Sequence, residues 1–190
     1  MIPSIFLPNL KNMLIGARVR LIIFMKTNGG GVNMSMEYQN GTAETTHIVM
    51  SEDINQLGNL HGGTLMQWVD MVGAVAAMRY TRSIVTTAAL DGMDFKHPVP
   101  LGGIVTLKAA VTWTGHTSLE VRVDVYSEKL NSEQKKRTNT AFLVFVALGY
   151  DGKPKEVPMF TPHTEEEKKE YNRAVQRRAE RLEKHLAQED

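Results

Sequence analysis

The sequence predicts an α+β fold, in which an antiparallel sheet wraps around one long buried helix and a second, charged helix follows at the C-terminal end. Three observations predict it. Gly62–Tyr80 contains no proline and is apolar at nearly every position, so a helix there must be covered on most of its circumference. The flanking segments are short runs rich in β-branched residues, as strands are. Thr164–Gln188 is dominated by charge and opens with Thr164-Glu165-Glu166-Glu167, a capping box with acids in the first turn.

The elements follow in order. Met1–Lys26 is apolar but broken by Pro3, Pro8, Asn9, Lys11, Asn12, Arg18 and Arg20. Its longest apolar run, Leu21–Met25, is far short of the about 20 residues that cross a bilayer. The segment also lacks the basic start, clean apolar stretch and small-residue cleavage site of a signal peptide. Asn28-Gly29-Gly30-Gly31 reads as a flexible joint, and Met34 or Met36 as the natural start. The expected organisation is an irregular extension over 1–33, a folded domain over 34–160 and the charged helix within 161–190.

Within the domain, Thr42–Met50 reads as a strand and Ser51–His61 as a polar loop. Ile84–Phe95, Gly103–Leu130 (interrupted at Thr114-Gly115-His116) and Lys136–Gly149 supply about four more strands, expected in meander order. Val121–Tyr126 alternates apolar and polar residues, the pattern of an antiparallel strand with one face toward solvent. One curved sheet cannot cover both sides of an all-apolar helix. The uncovered side predicts self-association, with a twofold dimer as the default.

Composition narrows the function. The chain has 190 residues, 42% of them hydrophobic, with 22 Lys+Arg against 21 Asp+Glu. That is enough for one real core, and the balanced charge argues against a nucleic-acid binder. With no cysteine there is no disulfide scaffold, thiolate nucleophile or thiolate-held metal, and a reducing, cytoplasmic setting fits. His47, His97, His116, His163 and His185 have no metal-ligand spacing. Gly-x-Ser-x-Gly, a phosphate-binding loop and His-Glu-x-x-His are all missing, so the common serine hydrolases, nucleotide kinases and zinc proteases do not apply. Neither a metal nor a redox cofactor is expected, nor membrane insertion.

The residues that could carry chemistry cluster in 53–70. Asp70 interrupts the most apolar turn of the chain, between Trp68-Val69 and Met71-Val72. A carboxylate there is costly unless bonded. Two readings fit it: an ion pair or cap for a neighbouring element, or a general base or nucleophile in a partly desolvated cleft. Upstream, Asn55, Asn59, His61, Gly62 and Gly63 lead into the helix. First-turn amides lack internal partners and carry partial positive charge, and two glycines let a ligand approach them closely. That suits an oxygen that becomes negative during acyl transfer, although simple flexibility with Asn59 as cap would leave the same residues. Gly63 and Asp70 stand seven positions apart, roughly 10 Å along a helix axis. One subunit would have difficulty bringing both to one reacting carbon. Two antiparallel helices about a twofold axis could place Asp70 of one chain near Gly63 of the other.

The stretch Asp53-Ile54-Asn55-Gln56-Leu57-Gly58-Asn59-Leu60-His61-Gly62-Gly63 through Asp70 resembles the helix entrance of the hotdog-fold acyl-CoA thioesterases, and the likeness extends from about Thr42 to Phe160. Phe95–Gly102 resembles that family's turn after its second strand. The resemblance implies Asn55 and Asp70 as catalytic residues and the His61-Gly62-Gly63 backbone as the group that polarises the thioester carbonyl. It implies contact with coenzyme A along Ala88, Ala89 and Leu90 and along Thr117, Ser118 and Leu119, with Arg177 or Arg178 reaching its phosphates. Arg173, Arg177, Arg178 and Arg181 form a basic helix face, though Glu180 and Glu183 offset it and the spacing favours plain solvation over phosphate contact. Activity is then hydrolysis of fatty acyl-CoA by a homo-oligomer, a dimer or a trimer of dimers, with coenzyme A only as part of the substrate. The rivals are a hydratase or dehydratase on the same fold, and a module that senses acyl-CoA without turning it over.

Overall fold

The computed structural model describes residues 41–91, 93, 97–128 and 135–187. The expected extension over 1–33, the starts at Met34 or Met36, and the Phe95-Lys96 part of the turn lie outside these residues. The elements are β1 (Thr42–Ile48), α1 (Gly62–Thr81), β2 (Ile84–Asp91), β3 (Ile104–Thr114), β4 (Ser118–Glu128), β5 (Lys135–Leu148) and α2 (Glu165–Leu186), with a short 3₁₀ turn at Ser51–Asp53. The five strands form one antiparallel sheet in the order β1-β3-β4-β5-β2. The expected meander therefore holds only for β3-β4-β5. β1 and β2 lie on opposite edges, because α1 carries the chain from one edge of the sheet to the other before β2 begins.

Alternation builds the core. Val105, Leu107 and Ala109 of β3, Leu119, Val121, Val123 and Val125 of β4, and Ala141, Leu143 and Phe145 of β5 all face α1 and are buried. Leu65, Val69, Val72, Ala76 and Ala77 of α1 meet them in one cluster. Each large member contributes about 1.5–3 kcal/mol by leaving water. Gly73 lets the sheet approach the helix backbone: a Cβ there would stand 3.2 Å from the Phe145 ring. The helix ends where Arg82 turns left-handed (φ 53°) and its N–H bonds back to Met78 O.

The far side of α1 is bare in the single chain, with Met66, Met71, Val75 and Met78 between 36% and 50% exposed. The all-apolar helix is thus covered by its own sheet on one face only.

Of the three register shifts in the sheet, those in β3 and β2 reset which way the residues near the site face. In β3 the register shifts between Val111 and Trp113, and in β2 between Thr87 and Ala89. A bulge puts two residues opposite one and flips the side-chain alternation beyond it. Thr87 pairs with Phe145 and so lies on the α1 side, whereas Asp91 pairs with Phe142 and lies on the other.

That other face differs from expectation. The polar residues of β4 do not face solvent; α2 docks over them. Glu120 is fully buried there, and Ala174 of α2 is buried as well. The start of α2 does follow its capping box: the Glu167 N–H donates to Thr164 Oγ1 (3.1 Å), and Glu167 Oε2 accepts from the Thr164 N–H (3.0 Å) and the His163 N–H (2.7 Å).

Candidate active site

The loop before α1 is stitched rather than loose. Asn55 Oδ1 accepts from the N–H groups of Leu57 (2.9 Å) and Asn59 (3.3 Å), and the Asn55 N–H donates to Asn59 O (2.8 Å). Leu60 donates to Val99 O and Leu101 to Gly58 O, tying the loop to the turn that precedes β3. With Oδ1 committed to two backbone donors, the amide orientation of Asn55 is fixed. Its Nδ2 has no acceptor among the described residues and remains a donor for a ligand.

The helix start departs from expectation in one respect. The N-cap is His61, not Asn59, and His61 Nδ1 accepts from the Gly63 N–H at 2.9 Å. The Gly63 amide is therefore not bare in the single chain. Among the described residues, the N–H groups of Gly62 and Thr64 are the ones left without an acceptor, as first-turn amides are.

Asp70 is partly buried, eight positions into α1 from its first residue, and turns toward the sheet edge. Thr87 Oγ1 of β2 donates to its Oδ1 at 2.6 Å. No cation pairs with Asp70 among the described residues. Thr87 was not singled out from the sequence: nothing in a threonine of a β-rich run tells that its strand will run beside the carboxylate. Pairing β2 with α1 is what reveals it.

Ala88, Ala89 and Leu90 follow directly on the exposed edge strand, with Ala88 the extra residue of the bulge. Thr117 O accepts from the Ala147 N–H and Ser118 O from the Gly115 N–H, which fixes the turn into β4. The Leu119 side chain is wholly inside the core, so a ligand could meet only its backbone. His47 on β1 stacks on Trp68 of α1 with ring centroids 4.2 Å apart. Burial there pushes its imidazole below the ordinary range, against a smaller upward pull from Asp53.

The arginines of α2 separate into two kinds. Arg177 is committed: it donates to both oxygens of buried Glu120 (2.8 and 3.3 Å), to Glu170 (2.8 Å), and stacks on Phe142 at 3.6 Å. Burial works against its charge, but Glu120 and Glu170 outweigh that and hold it above its ordinary range. Of the two arginines expected at the phosphates, Arg177 is thus held by Glu120, Glu170 and Phe142. Arg178 is exposed over the Trp113 ring at 5.1 Å, with no carboxylate partner among the described residues. Arg181 bonds Glu120 Oε2 (3.2 Å) and Asp91 at the end of β2. Simple solvation of this basic face is thereby excluded for Arg177 and Arg181.

No cluster of three or more metal-binding side chains occurs among the described residues, and no described helix is long and apolar enough to cross a membrane.

Comparison with known proteins places the chain. The pattern of the Thioesterase superfamily matches residues 57–133. The uncharacterised acyl-CoA thioester hydrolase YkhA of Bacillus subtilis is 41% identical over 136 residues, 72% of this chain and 79% of YkhA. A hexameric acyl-CoA thioesterase solved in its apo form superposes with a TM-score of 0.74 at 37% identity, covering 77% of this chain and 94% of its own. The acyl-CoA hydrolase of Staphylococcus aureus, solved with butyryl coenzyme A and coenzyme A, gives 0.71 at 32% identity, covering 80% of this chain and 94% of its own. That enzyme has also been solved with an asparagine, an aspartate or a threonine replaced by alanine; the aspartate stands 15 positions after the asparagine and the threonine 17 after the aspartate. By fold, sequence and helix entrance together, the chain belongs to the hotdog-fold acyl-CoA thioesterases.

Proposed function

We propose that the protein hydrolyses fatty acyl-CoA to free fatty acid and coenzyme A in the cytoplasm, without a cofactor, at sites shared between the subunits of a dimer or a trimer of dimers. One observation carries the assignment of the acid: the 2.6 Å bond from Thr87 to Asp70 orients one carboxylate oxygen and leaves the other unpaired on a half-buried helix face. The spacings Asn55 to Asp70 and Asp70 to Thr87, 15 and 17 positions, equal those of the three residues replaced in the Staphylococcus aureus enzyme. The free Nδ2 of Asn55 supplies a donor for water or the thioester oxygen.

The chemistry follows. Asp70 takes a proton from water as the water oxygen bonds to the thioester carbon. The carbonyl oxygen becomes negative and meets the amides at the start of α1, where Gly62 and Thr64 offer free N–H groups and Gly63 joins them if His61 swings away. The C–S bond then breaks, and the proton held by Asp70 passes to the departing thiolate. Direct attack by Asp70, giving an anhydride that water opens, reaches the same products. Coenzyme A lies along Ala88–Leu90 and the Thr117–Leu119 backbone, with Arg178 at its phosphates. The bare Met66, Met71, Val75 and Met78 face of α1 meets its twofold mate and brings Asp70 of one chain to the amides of the other. A hydratase would want a catalytic histidine paired with a carboxylate, whereas His61 caps α1 through Nδ1 and bonds no carboxylate among the described residues.

Thiol release from a panel of short, medium and long acyl-CoAs tests this. Asp70→Asn and Asn55→Ala should each lose about 10²–10⁴-fold in kcat. Mixing the two inactive variants should restore activity, because a mixed dimer keeps one site with Asn55 and its amides from one chain and Asp70 from the other. Wild-type rates in both variants would sink the residue assignment, and no recovery on mixing would sink the shared site.

A further inference from the structure

We propose that Arg181 is a positioning residue for the reactive carboxylate: acting from α2 on the far face of the sheet, it fixes the end of β2 through Asp91 and thereby sets where Thr87 holds Asp70. The inference rests on the reading of Asp70 and Thr87 given above.

Among the described residues of the single chain, β2 is an edge strand paired on one side with β5. It contains a bulge between Thr87 and Ala89, where ladder bonding is interrupted and the strand is free to bend. Within the single chain, a strand so placed has one ladder and an interrupted register to hold Thr87 beside Asp70. The restraint comes from beyond the bulge. Asp91, the last residue of β2, bonds the Arg181 guanidinium, whose side chain is only 15% exposed. Arg181 is in turn anchored to Glu120, which is fully buried at the centre of the sheet and also accepts from Thr112 Oγ1 (2.9 Å) and Arg177. One helical turn away, Arg177 stacks on Phe142, the very residue that pairs with Asp91 across the β2–β5 ladder. Two arginines four positions apart thus grip both strands at one rung. The charged groups facing this rung are Glu120, Arg122, Glu170, Asp91, Arg177 and Arg181. The bulge makes the arrangement possible, since it lets Thr87 serve the α1 face while Asp91, four residues later, serves the α2 face.

The test is steady-state thiol release by the full-length, oligomeric protein carrying Arg181→Ala, Asp91→Asn, Thr87→Ala, or Arg181→Ala with Thr87→Ala. Arg181→Ala and Asp91→Asn should each lower kcat about tenfold with KM little changed, the size expected of a misplaced catalytic group. In the Thr87→Ala background Arg181→Ala should cost almost nothing more, because the contact through which it acts is already gone. A merely structural role would not show that non-additivity. Costs that multiply, a wild-type kcat in Arg181→Ala, or a raised KM with kcat unchanged (the sign of a phosphate contact) would each overturn the proposal while leaving the Asp70 reading intact. If Thr87→Ala itself turns over like wild type, the Asp70–Thr87 reading fails and this inference with it. Should Arg181→Ala melt near the assay temperature, Asp91→Asn carries the test, since it leaves Arg181 paired with Glu120.

Discussion

Asp70 and Glu120 are carboxylates on opposite sides of the same sheet, and their surroundings could hardly differ more. Asp70 touches one hydroxyl, on an edge strand, and has no cation among the described residues. Glu120 is fully buried, bonded to Thr112 and held by Arg177 and Arg181. A carboxylate saturated by guanidinium donors has no lone pair left for a substrate proton and no reason to accept one. A carboxylate fixed by a single hydroxyl keeps an oxygen free while its direction is set. The α1 face is therefore built to leave one acid unfinished, and the α2 face to finish the acid at its centre.

Replacing each carboxylate by its amide should separate the two faces most sharply. Asp70→Asn is expected to abolish nearly all turnover while barely moving Tm. Glu120→Gln should act chiefly on stability, costing about 3 kcal/mol, roughly 10 °C in Tm, because it strips charge from a buried pair, while kcat falls no further than in Arg181→Ala. Thermal melts and thiol release on the same samples check both, and similar profiles for the two variants would break the comparison.

A smaller effect should appear on the α1 side in acid. Burial against Trp68 places the folded-state pKa of His47 below its ordinary 6.5, so the neutral ring favours the fold. That contribution is complete above the unfolded value and is lost as pH falls from there through the folded value. Urea melts between about pH 7.5 and 5.5 should show wild type losing more stability than His47→Phe.

The smallest effect belongs to the exposed start of α2. The backbone N–H groups of His163 and Thr164 hold the Glu167 carboxyl below its ordinary range. Its capping bond is therefore intact above the unfolded carboxylate value and lost as pH falls through the folded one. Thr164→Ala should cost about 1 kcal/mol at neutral pH and show as fraying of α2 by circular dichroism. No change in helicity would mean that the arginine grip alone holds the helix.

Much of this was readable in the residues. The apolar run of α1, the alternation in β4 and the Thr164–Glu167 box each express one local period or one local bond, and each element formed, although the polar face of β4 is covered by α2 rather than by water. Asn55, Asp70 and the glycines at the helix start share one stretch of 18 residues, so proximity in sequence carried the candidate site as well. What stayed hidden depends on non-local pairing. The meander expectation failed for β2 because its partner is settled by where α1 delivers the chain. Arg177 could not be told from Arg178 because spacing along α2 does not say which guanidinium meets Glu120, a residue on a strand that periodicity showed as facing water. Thr87 and Trp113 sit beside bulges, and a bulge leaves no mark on a strand that is uniformly β-rich.

The extra residue in β2 also limits how this chain can change length. Thr87 and Asp91 must look out of opposite sides of the sheet, yet an even separation in a regular strand would send both the same way. Losing or gaining one residue between them would turn Asp91 into the apolar layer or Thr87 away from its acid, while a two-residue change would preserve the handing-over from one side to the other. Insertions and deletions in this segment are therefore constrained by parity more than by size.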